Sequence, residues 1–158
     1  MVDVAGTPLV SEASSIPAYP GMLERTVVAV VLTWRGRIGL FKRSPEVGHD
    51  GGLWHCITGF VELGHQPLEK AVTEVHEETG LGLRELDDLV AGPVLELPAL
   101  SGPPWQVHTF SARTQRRRLE LNWEHSTYRW VRPAAVAGFG GQVVWLADVV
   151  RATDASIR

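Results

Sequence analysis

The chain has 158 residues, of which 44% are hydrophobic and 21% are charged, as expected for one globular domain with a hydrophobic core. Its formal net charge of −3 is too small to indicate a nucleic-acid polymer or a membrane surface as a partner. Cys56 is the single cysteine, which excludes an internal disulfide bond. Residues 1–24 show no basic start followed by an apolar stretch, and the longest strongly apolar run, residues 27–32, is too short to span a bilayer. The sequence therefore predicts a cytoplasmic protein.

Residues 1–24 are rich in Ser, Ala, Pro and Gly, which predicts an irregular N-terminal arm, and residues 25–158 are predicted to form one domain. Runs of apolar and β-branched residues favour strands, and apolar residues at helical spacing favour helices. The predicted elements are, in chain order, strands at 25–33 and 38–43, a short apolar stretch at 53–57, a helix at 67–79, strands at 90–97, 106–112 and 128–131, and a helix at 141–152. This order predicts an α/β or α+β domain in which a mixed sheet packs against at least two helices.

The helix at residues 67–79 has clear signals at both ends. Pro67 suits the first helical turn, where its missing N–H is not needed, and Gly80 suits the position just after the last turn. On a helical wheel the apolar side chains share one face, which is predicted to pack on the sheet. That face consists of Leu68, Ala71, Val72, Val75 and Thr79.

Three glutamates of this helix, Glu74, Glu77 and Glu78, lie at positions i, i+3 and i+4 and are predicted to share the opposite face. Three carboxylates this close repel one another, and near the C-terminus of a helix they also oppose the helix dipole. A hard divalent cation, Mg²⁺ or Mn²⁺, would compensate for both effects because it binds carboxylate oxygens. The alternative is an acidic surface that is simply solvated.

Residues 59–81 read GFVELGHQPLEKAVTEVHEETGL, which resembles the Nudix box, G-x5-E-x7-R-E-U-x-E-E-x-G-U, where U is a bulky aliphatic residue. The resemblance implies a Nudix-type α/β/α sandwich with a mixed β-sheet between helices. It further implies a hydrolase that uses Mg²⁺ or Mn²⁺ to cut a phosphoanhydride bond in a nucleoside diphosphate linked to another group. The matching positions are Gly59, Glu74, Val75, Glu77, Glu78, Gly80 and Leu81.

Two positions depart from the box, because His65 stands where the pattern has Glu and Thr73 stands where it has Arg. In the family these two positions are thought to support each other and to orient the first glutamate. Losing both leaves no unpaired charge behind, so His65 and Thr73 are predicted to form a neutral substitute in an active enzyme. The alternative is a Nudix-like nucleotide-binding or regulatory domain with reduced turnover.

Further downstream, the residues Glu124-His125 and Tyr128-Arg129-Trp130 resemble the E-H-x-x-Y-x-W segment of many Nudix enzymes. That resemblance implies that Glu124 is a metal ligand from a loop before a strand. The alternative is a loop carboxylate that caps nearby backbone, and Glu120 is a weaker rival.

The box resemblance also implies roles for single residues. Glu74 and Glu78 would be the principal metal ligands, and the carbonyl of Thr58 would add a backbone ligand. Glu77 would bind metal or accept a proton from the attacking water, two roles that stay open. The predicted catalytic group is therefore Glu77, Glu78 and Glu124, with a small nucleotide or polyphosphate as substrate and no nucleic-acid polymer or membrane as partner.

Arg43, at the end of a predicted strand, is a candidate phosphate contact, with an ordinary exposed arginine as the alternative. Trp105 follows the loop of Pro103 and Pro104 and is a candidate for stacking on the substrate, with a core position as the alternative. The arginine run at residues 116–118 is interpreted as solvated, although it could attract polyphosphate. His55 lacks partners at zinc-ligand spacing and is interpreted as structural. Nudix relatives are often dimers, which leaves a homodimer open, and the identity of the substrate is open as well.

Overall fold

The computed structural model describes residues 22–154, with side chains from residue 25 onward. The first strand begins at residue 22, three residues before its predicted start and within the predicted N-terminal arm. The rest of that arm, residues 1–21, and the last four residues of the predicted domain, 155–158, lie outside the described residues. The elements are β1 (Met22–Trp34), β2 (Arg37–Arg43), β3 (Trp54–His55), β4 (Ile57–Glu62), α1 (Pro67–Thr79), β5 (Leu86–Leu97), β6 (Trp105–Thr114), β7 (His125–Val131) and α2 (Leu146–Thr153).

The described strands form one seven-stranded sheet with the order β3-β2-β1-β6-β5, in which β4 pairs with β1 and β7 pairs with β2. The pair β1 and β6 is parallel over residues 26–33 of β1, and the other strand pairs are antiparallel. The sheet is therefore mixed, which confirms the prediction.

Hydrophobic clusters cover both faces of this sheet. Side chains alternate along a strand, so Val28 of β1 joins the cluster that includes Val75 of α1, whereas Ala29 joins the cluster that includes Leu146 of α2. Because both faces of β1 are buried, its sequence is a continuous apolar run and does not alternate with polar residues. The arrangement of helix, sheet and helix confirms the predicted α/β/α sandwich.

Helix α1 has the predicted bounds, and Gly80 follows it in the left-handed conformation, with φ of 79°. Helix α2 begins at Leu146, five residues later than predicted. The reason is that residues 141–143 pair with β3: Trp54 N donates to Gly141 O at 2.8 Å, and Val143 N donates to Trp54 O at 2.9 Å. These backbone groups cannot also begin a helix. Among the described residues, no helix is both long enough and apolar enough to cross a bilayer.

His55 is buried in β3, and its ring meets the ring of Trp145 edge to face, with 4.4 Å between the centroids. Burial lowers the pKa of His55 well below its ordinary value, and the nearby positive charge of Arg43 lowers it further. His55 is therefore a neutral packing residue, which agrees with its predicted structural role.

We expect the free energy of unfolding to fall as the pH drops below about 6.5, the ordinary pKa of histidine. In that range the unfolded chain binds a proton at His55 and the folded protein does not, so acid favours unfolding by up to about 1.4 kcal/mol per pH unit. Urea denaturation between about pH 7 and pH 5 measures this slope. His55→Leu should reduce it, and an unchanged slope in the variant would assign the acid sensitivity to other groups.

Candidate metal and active site

The buried face of α1 carries two of the three helical glutamates. Glu74 is 7% exposed and Glu78 is 2% exposed, and both lie on the same side of the helix as the buried Val75. The prediction that these acids face away from the packed side is wrong. Leu68, predicted to pack on the sheet, is 51% exposed. The packed face of the helix therefore includes Glu74 and Glu78 and leaves out Leu68.

Three carboxylates converge at this buried edge. One oxygen from each of Glu74, Glu78 and Glu124 lies within 4.8 Å of the others, in an arrangement that could hold a metal ion. Glu124 comes from the end of the loop that precedes β7, so a residue 46 positions after Glu78 in the sequence joins the cluster only through folding. The structure thus brings together three of the four predicted acidic ligands.

Glu77 is not part of this cluster. It is exposed and lines a shallow pocket of about 450 Å³ on the outer side of α1, together with His65, Lys70 and Thr73. Glu77 is exposed to solvent, whereas Glu74 and Glu78 are buried, so its side chain lies on a different part of the helix surface. The predicted grouping of Glu77 with Glu74 and Glu78 on one face is therefore wrong.

The electrostatic surroundings of Glu78 favour the binding of a cation. Burial raises its pKa well above the ordinary value, and the hydrogen bond with Glu74 and the charges of Glu74 and Glu124 raise it further. Its Oε1 is buried without a hydrogen-bond partner. His125 Nδ1 lies 3.6 Å away, but burial and then the charge of Arg43 lower the pKa of His125 to about 4. His125 is thus neutral near pH 7 and does not form an ion pair with Glu78.

A hard divalent cation held by these carboxylates would give the unpaired oxygen of Glu78 a partner and would offset the repulsion among the three acids. The donors are all oxygens, which suits Mg²⁺ or Mn²⁺ and disfavours a softer metal such as Cu(I). The residues present therefore fit the cofactor that the sequence predicts.

Gly59 allows Glu74 to reach this position. A Cβ atom on Gly59 would lie 2.5 Å from Cγ and Cδ of Glu74 and 2.8 Å from its Oε2. The carboxyl group thus packs directly against the backbone of β4, next to Thr58, which pairs with Ala29 of β1. Gly59 is required for close approach between backbone and side chain, which gives a physical reason for the first glycine of the box.

We expect Gly59→Ala to reduce activity by more than about tenfold, since displacing a metal ligand costs at least as much as losing a residue that supports one. The added methyl group would push the Glu74 carboxylate away from Glu78 and Glu124. A matched control is Gly138→Ala, because a Cβ there meets no atom within 4 Å. Initial rates with both variants, together with circular dichroism, test the prediction, and equal rates in the two variants would contradict it.

The expected support of Glu74 by a His65 and Thr73 pair is absent. The side chain of His65 is 57% exposed, and its Nδ1 lies 3.4 Å from Glu62 Oε1, whereas Thr73 is exposed at the surface. Instead, Lys70 Nζ lies 3.0 Å from Glu74 Oε2, and the two side chains are 15% and 9% exposed. Burial alone would lower the pKa of Lys70, but the hydrogen bond and charge of Glu74 outweigh it and raise the pKa.

Sequence reasoning missed Lys70, although the signal was present. A lysine four residues before a glutamate on one helix lies on the same face as that glutamate. Lys70 therefore supplies a positive charge to the first glutamate of the cluster from one turn away, whereas the box pattern supplies it from the adjacent position, occupied here by Thr73.

Arg43 is 9% exposed and lies near the cluster, where the charges of Asp50, Glu78 and Glu124 act on it. Burial lowers its pKa, these carboxylates oppose the shift, and an arginine remains a cation at neutral pH. Its Nε donates to His49 O at 3.2 Å. The alternative of an ordinary exposed arginine is excluded.

Trp105 is a core residue, which corrects the prediction of a stacking site. It is 5% exposed, and the guanidinium of Arg25 lies over its ring at 5.7 Å from the centroid. The ring of Phe60 packs beside it, with 5.9 Å between the centroids. These protein groups occupy the ring surface that a substrate base would need.

A family model described as the NUDIX domain matches residues 22–151. The chain belongs to the Nudix family. Enzymes of this family generally use divalent metals and bind small nucleotide substrates.

Solved structures share the fold of this Nudix chain. The E. coli dihydroneopterin triphosphate pyrophosphohydrolase is 20% identical, with a TM-score of 0.68 over 81% of this chain and 93% of that one. A C. elegans Ap4A hydrolase is 17% identical, with a TM-score of 0.66 over 82% and 95%. The NUDIX domain of Shewanella oneidensis NrtR, complexed with ADP ribose, is 13% identical, with a TM-score of 0.67 over 94% and 100%.

The Nudix chain also matches a curated relative, an octanoyltransferase of Myxococcus xanthus, with 32% identity over 130 residues. The match covers 77% of this chain, and the chain spans about a third, 34%, of the length of that relative. The name octanoyltransferase belongs to the whole of that longer protein.

Proposed function

We propose that the protein is a divalent-metal-dependent pyrophosphohydrolase that cuts a phosphoanhydride bond in a nucleoside diphosphate linked to another group. The observation that carries the proposal is the cluster of Glu74, Glu78 and Glu124, in which a buried oxygen of Glu78 has no protein partner. A buried carboxylate cluster without a cation would be costly, whereas a cation turns it into a site for phosphate oxygens.

In this proposal Glu74, Glu78 and Glu124 hold Mg²⁺ or Mn²⁺, and the carbonyl of Thr58, beside Gly59, is a further candidate ligand. When bound, the metal neutralises phosphate oxygens and lowers the pKa of a water molecule, so that a nucleophile exists near neutral pH. Arg43 adds a positive charge beside the carboxylates, which favours an anionic substrate.

Glu77 has a separate role in this proposal because it lies on the solvent side of α1. From there it can bind a metal ion that arrives with the substrate, or accept a proton from the attacking water. Lys70 is a positioning residue, because its contact with Oε2 of Glu74 holds the carboxylate in place. In this proposal the protein retains turnover although His65 and Thr73 replace the glutamate and the arginine of the box.

The fold by itself allows several classes of substrate. The names of the neighbouring structures mention dihydroneopterin triphosphate, Ap4A and ADP ribose, which all contain a phosphoanhydride bond. We propose that this chain also acts on a small nucleotide or related polyphosphate and not on a nucleic-acid polymer.

A substrate panel tests this function. Purified protein with Mg²⁺ or Mn²⁺ is incubated with nucleoside triphosphates, ADP-ribose, nucleotide sugars and dinucleoside polyphosphates, and the products are separated by ion-exchange chromatography. We expect cleavage of at least one compound, and we expect chelation of the metal to abolish it. Tight binding of a panel member without any cleavage would instead support the reduced-turnover alternative that His65 and Thr73 raise.

A further inference from the structure

A second pocket lies far from the carboxylate cluster. It has a volume of about 750 Å³ and opens between the β1–β2 turn, the β6–β7 loop (residues 115–124) and β7. Arg37 marks this end of β2, whereas Arg43 marks the end near the carboxylates, and six residues of strand span roughly 20 Å. We call it the arginine pocket; its lining includes Trp34, Arg37, Arg117, Arg118, Tyr128 and Trp130.

The arginine pocket contains several positive charges that no acidic lining residue balances. Among the described residues, none that lines it is acidic, and neither Arg37 nor Arg118 forms an ion pair or a side-chain hydrogen bond. The guanidinium of Arg117 lies over the ring of Trp34 at 5.7 Å, and that of Arg35 lies over the same ring at 5.3 Å. Such crowding of cations is unexpected in a chain with a net charge of −3, because like charges repel unless an anion lies between them.

The loop that carries these arginines is held in place. Trp130 Nε1 donates to the carbonyl of Arg117 at 2.9 Å, and the backbone N–H of Leu119 donates to the hydroxyl of Tyr128 at 3.0 Å. These two bonds fix the backbone on both sides of Arg118. A ligand that binds there therefore does not have to order the loop backbone, which lowers the entropic cost of binding.

We propose that the arginine pocket is a second ligand site, separate from the carboxylate cluster, that binds the oligophosphate group of a nucleotide or of an inorganic polyphosphate. Guanidinium groups stay charged at all physiological pH values and match phosphate oxygens with paired donors. The volume of about 750 Å³ lies within the range of small-molecule sites, which is about 300–1,000 Å³. This proposal does not depend on the proposed hydrolysis.

Binding of tripolyphosphate in the presence of EDTA tests the proposal. Without a metal ion the three carboxylates repel anions, so binding at the carboxylate cluster is disfavoured. Isothermal titration calorimetry should show saturable binding to the full-length chain that weakens as salt rises. The double variant Arg37→Ala/Arg118→Ala should weaken binding by at least about tenfold, as expected when charge-assisted hydrogen bonds are lost. Arg118 is exposed and Arg37 is partly buried, and among the described residues neither side chain forms an ion pair or a hydrogen bond.

Matched variants distinguish binding in the arginine pocket from a general effect of surface charge and from binding at the carboxylate cluster. Arg84→Ala, which removes an exposed arginine outside the pocket, and Glu78→Gln should both keep wild-type affinity. An equal loss with Arg84→Ala, a loss with Glu78→Gln, or no binding in EDTA would each overturn the proposal. Comparing ATP with tripolyphosphate then identifies the source of the ligand: tighter binding of ATP supports a nucleotide, and equal binding supports an inorganic polyphosphate.

Discussion

Glu78→Gln is expected to lower kcat by more than about 100-fold, which exceeds the usual cost of losing a residue that only supports a metal ligand. The same change should not lower the free energy of unfolding in the presence of EDTA. Glu78 is 2% exposed and its charged form is disfavoured by burial, so a neutral amide of the same shape relieves a cost when no metal is bound. Initial rates with the best panel substrate and urea denaturation measure the two effects.

Glu77→Gln is the matched control for this prediction. It makes the same chemical change one residue away, on the exposed side of α1. We expect a smaller loss than for Glu78→Gln, because Glu77 lies outside the carboxylate cluster. A larger loss with Glu77→Gln would contradict the assignment of Glu78 as a principal ligand. A loss of folding in Glu78→Gln would contradict the stability argument.

Lys70→Met is expected to reduce kcat/KM by about 10–100-fold, the usual effect of removing a partner that orients a metal ligand. It should also raise the Mn²⁺ concentration needed for half-maximal activity. The direction of this second change is decisive. Removing a nearby positive charge would by itself favour a cation, so a rise reports the loss of Glu74 orientation and not a simple electrostatic effect.

Rescue experiments complete this test. Lys70→Arg keeps a cationic donor and should retain most of the activity. Thr73→Arg in the Lys70→Met background restores the arginine of the box and should recover part of the loss. A lower Mn²⁺ requirement in Lys70→Met, or no recovery in either arginine variant, would show that Lys70 does not position Glu74.

The local signals in the sequence were sufficient for α1. Pro67 and Gly80 mark its ends through backbone preferences that do not depend on the rest of the fold, and the structure has the same bounds. The continuous apolar run in β1 likewise predicts a strand buried on both faces. The grouping of Glu74 with Glu78 follows from helical spacing, and the family resemblance added Glu124.

The sequence alone does not show which neighbouring elements cover each face of a helix or a ring. A helical wheel gives angles between side chains, but the position of the sheet edge decides that Glu74 is buried and Leu68 is exposed. The Pro103-Pro104 loop suggested an exposed Trp105, yet Arg25 and Phe60 cover its ring from elements distant in sequence. The box pattern led to the prediction that His65 and Thr73 support Glu74. In the structure the positive charge beside Glu74 comes from Lys70.

The central claim is that Glu74, Glu78 and Glu124 together bind a divalent cation that the enzyme needs. Anomalous diffraction at the manganese edge, from crystals of the full chain grown with Mn²⁺, tests it most directly. We expect an anomalous peak in contact with carboxylate oxygens of all three glutamates, and no such peak in crystals of Glu78→Gln. A cluster free of manganese in crystals of protein that hydrolyses a nucleotide in the same Mn²⁺ buffer would contradict the claim.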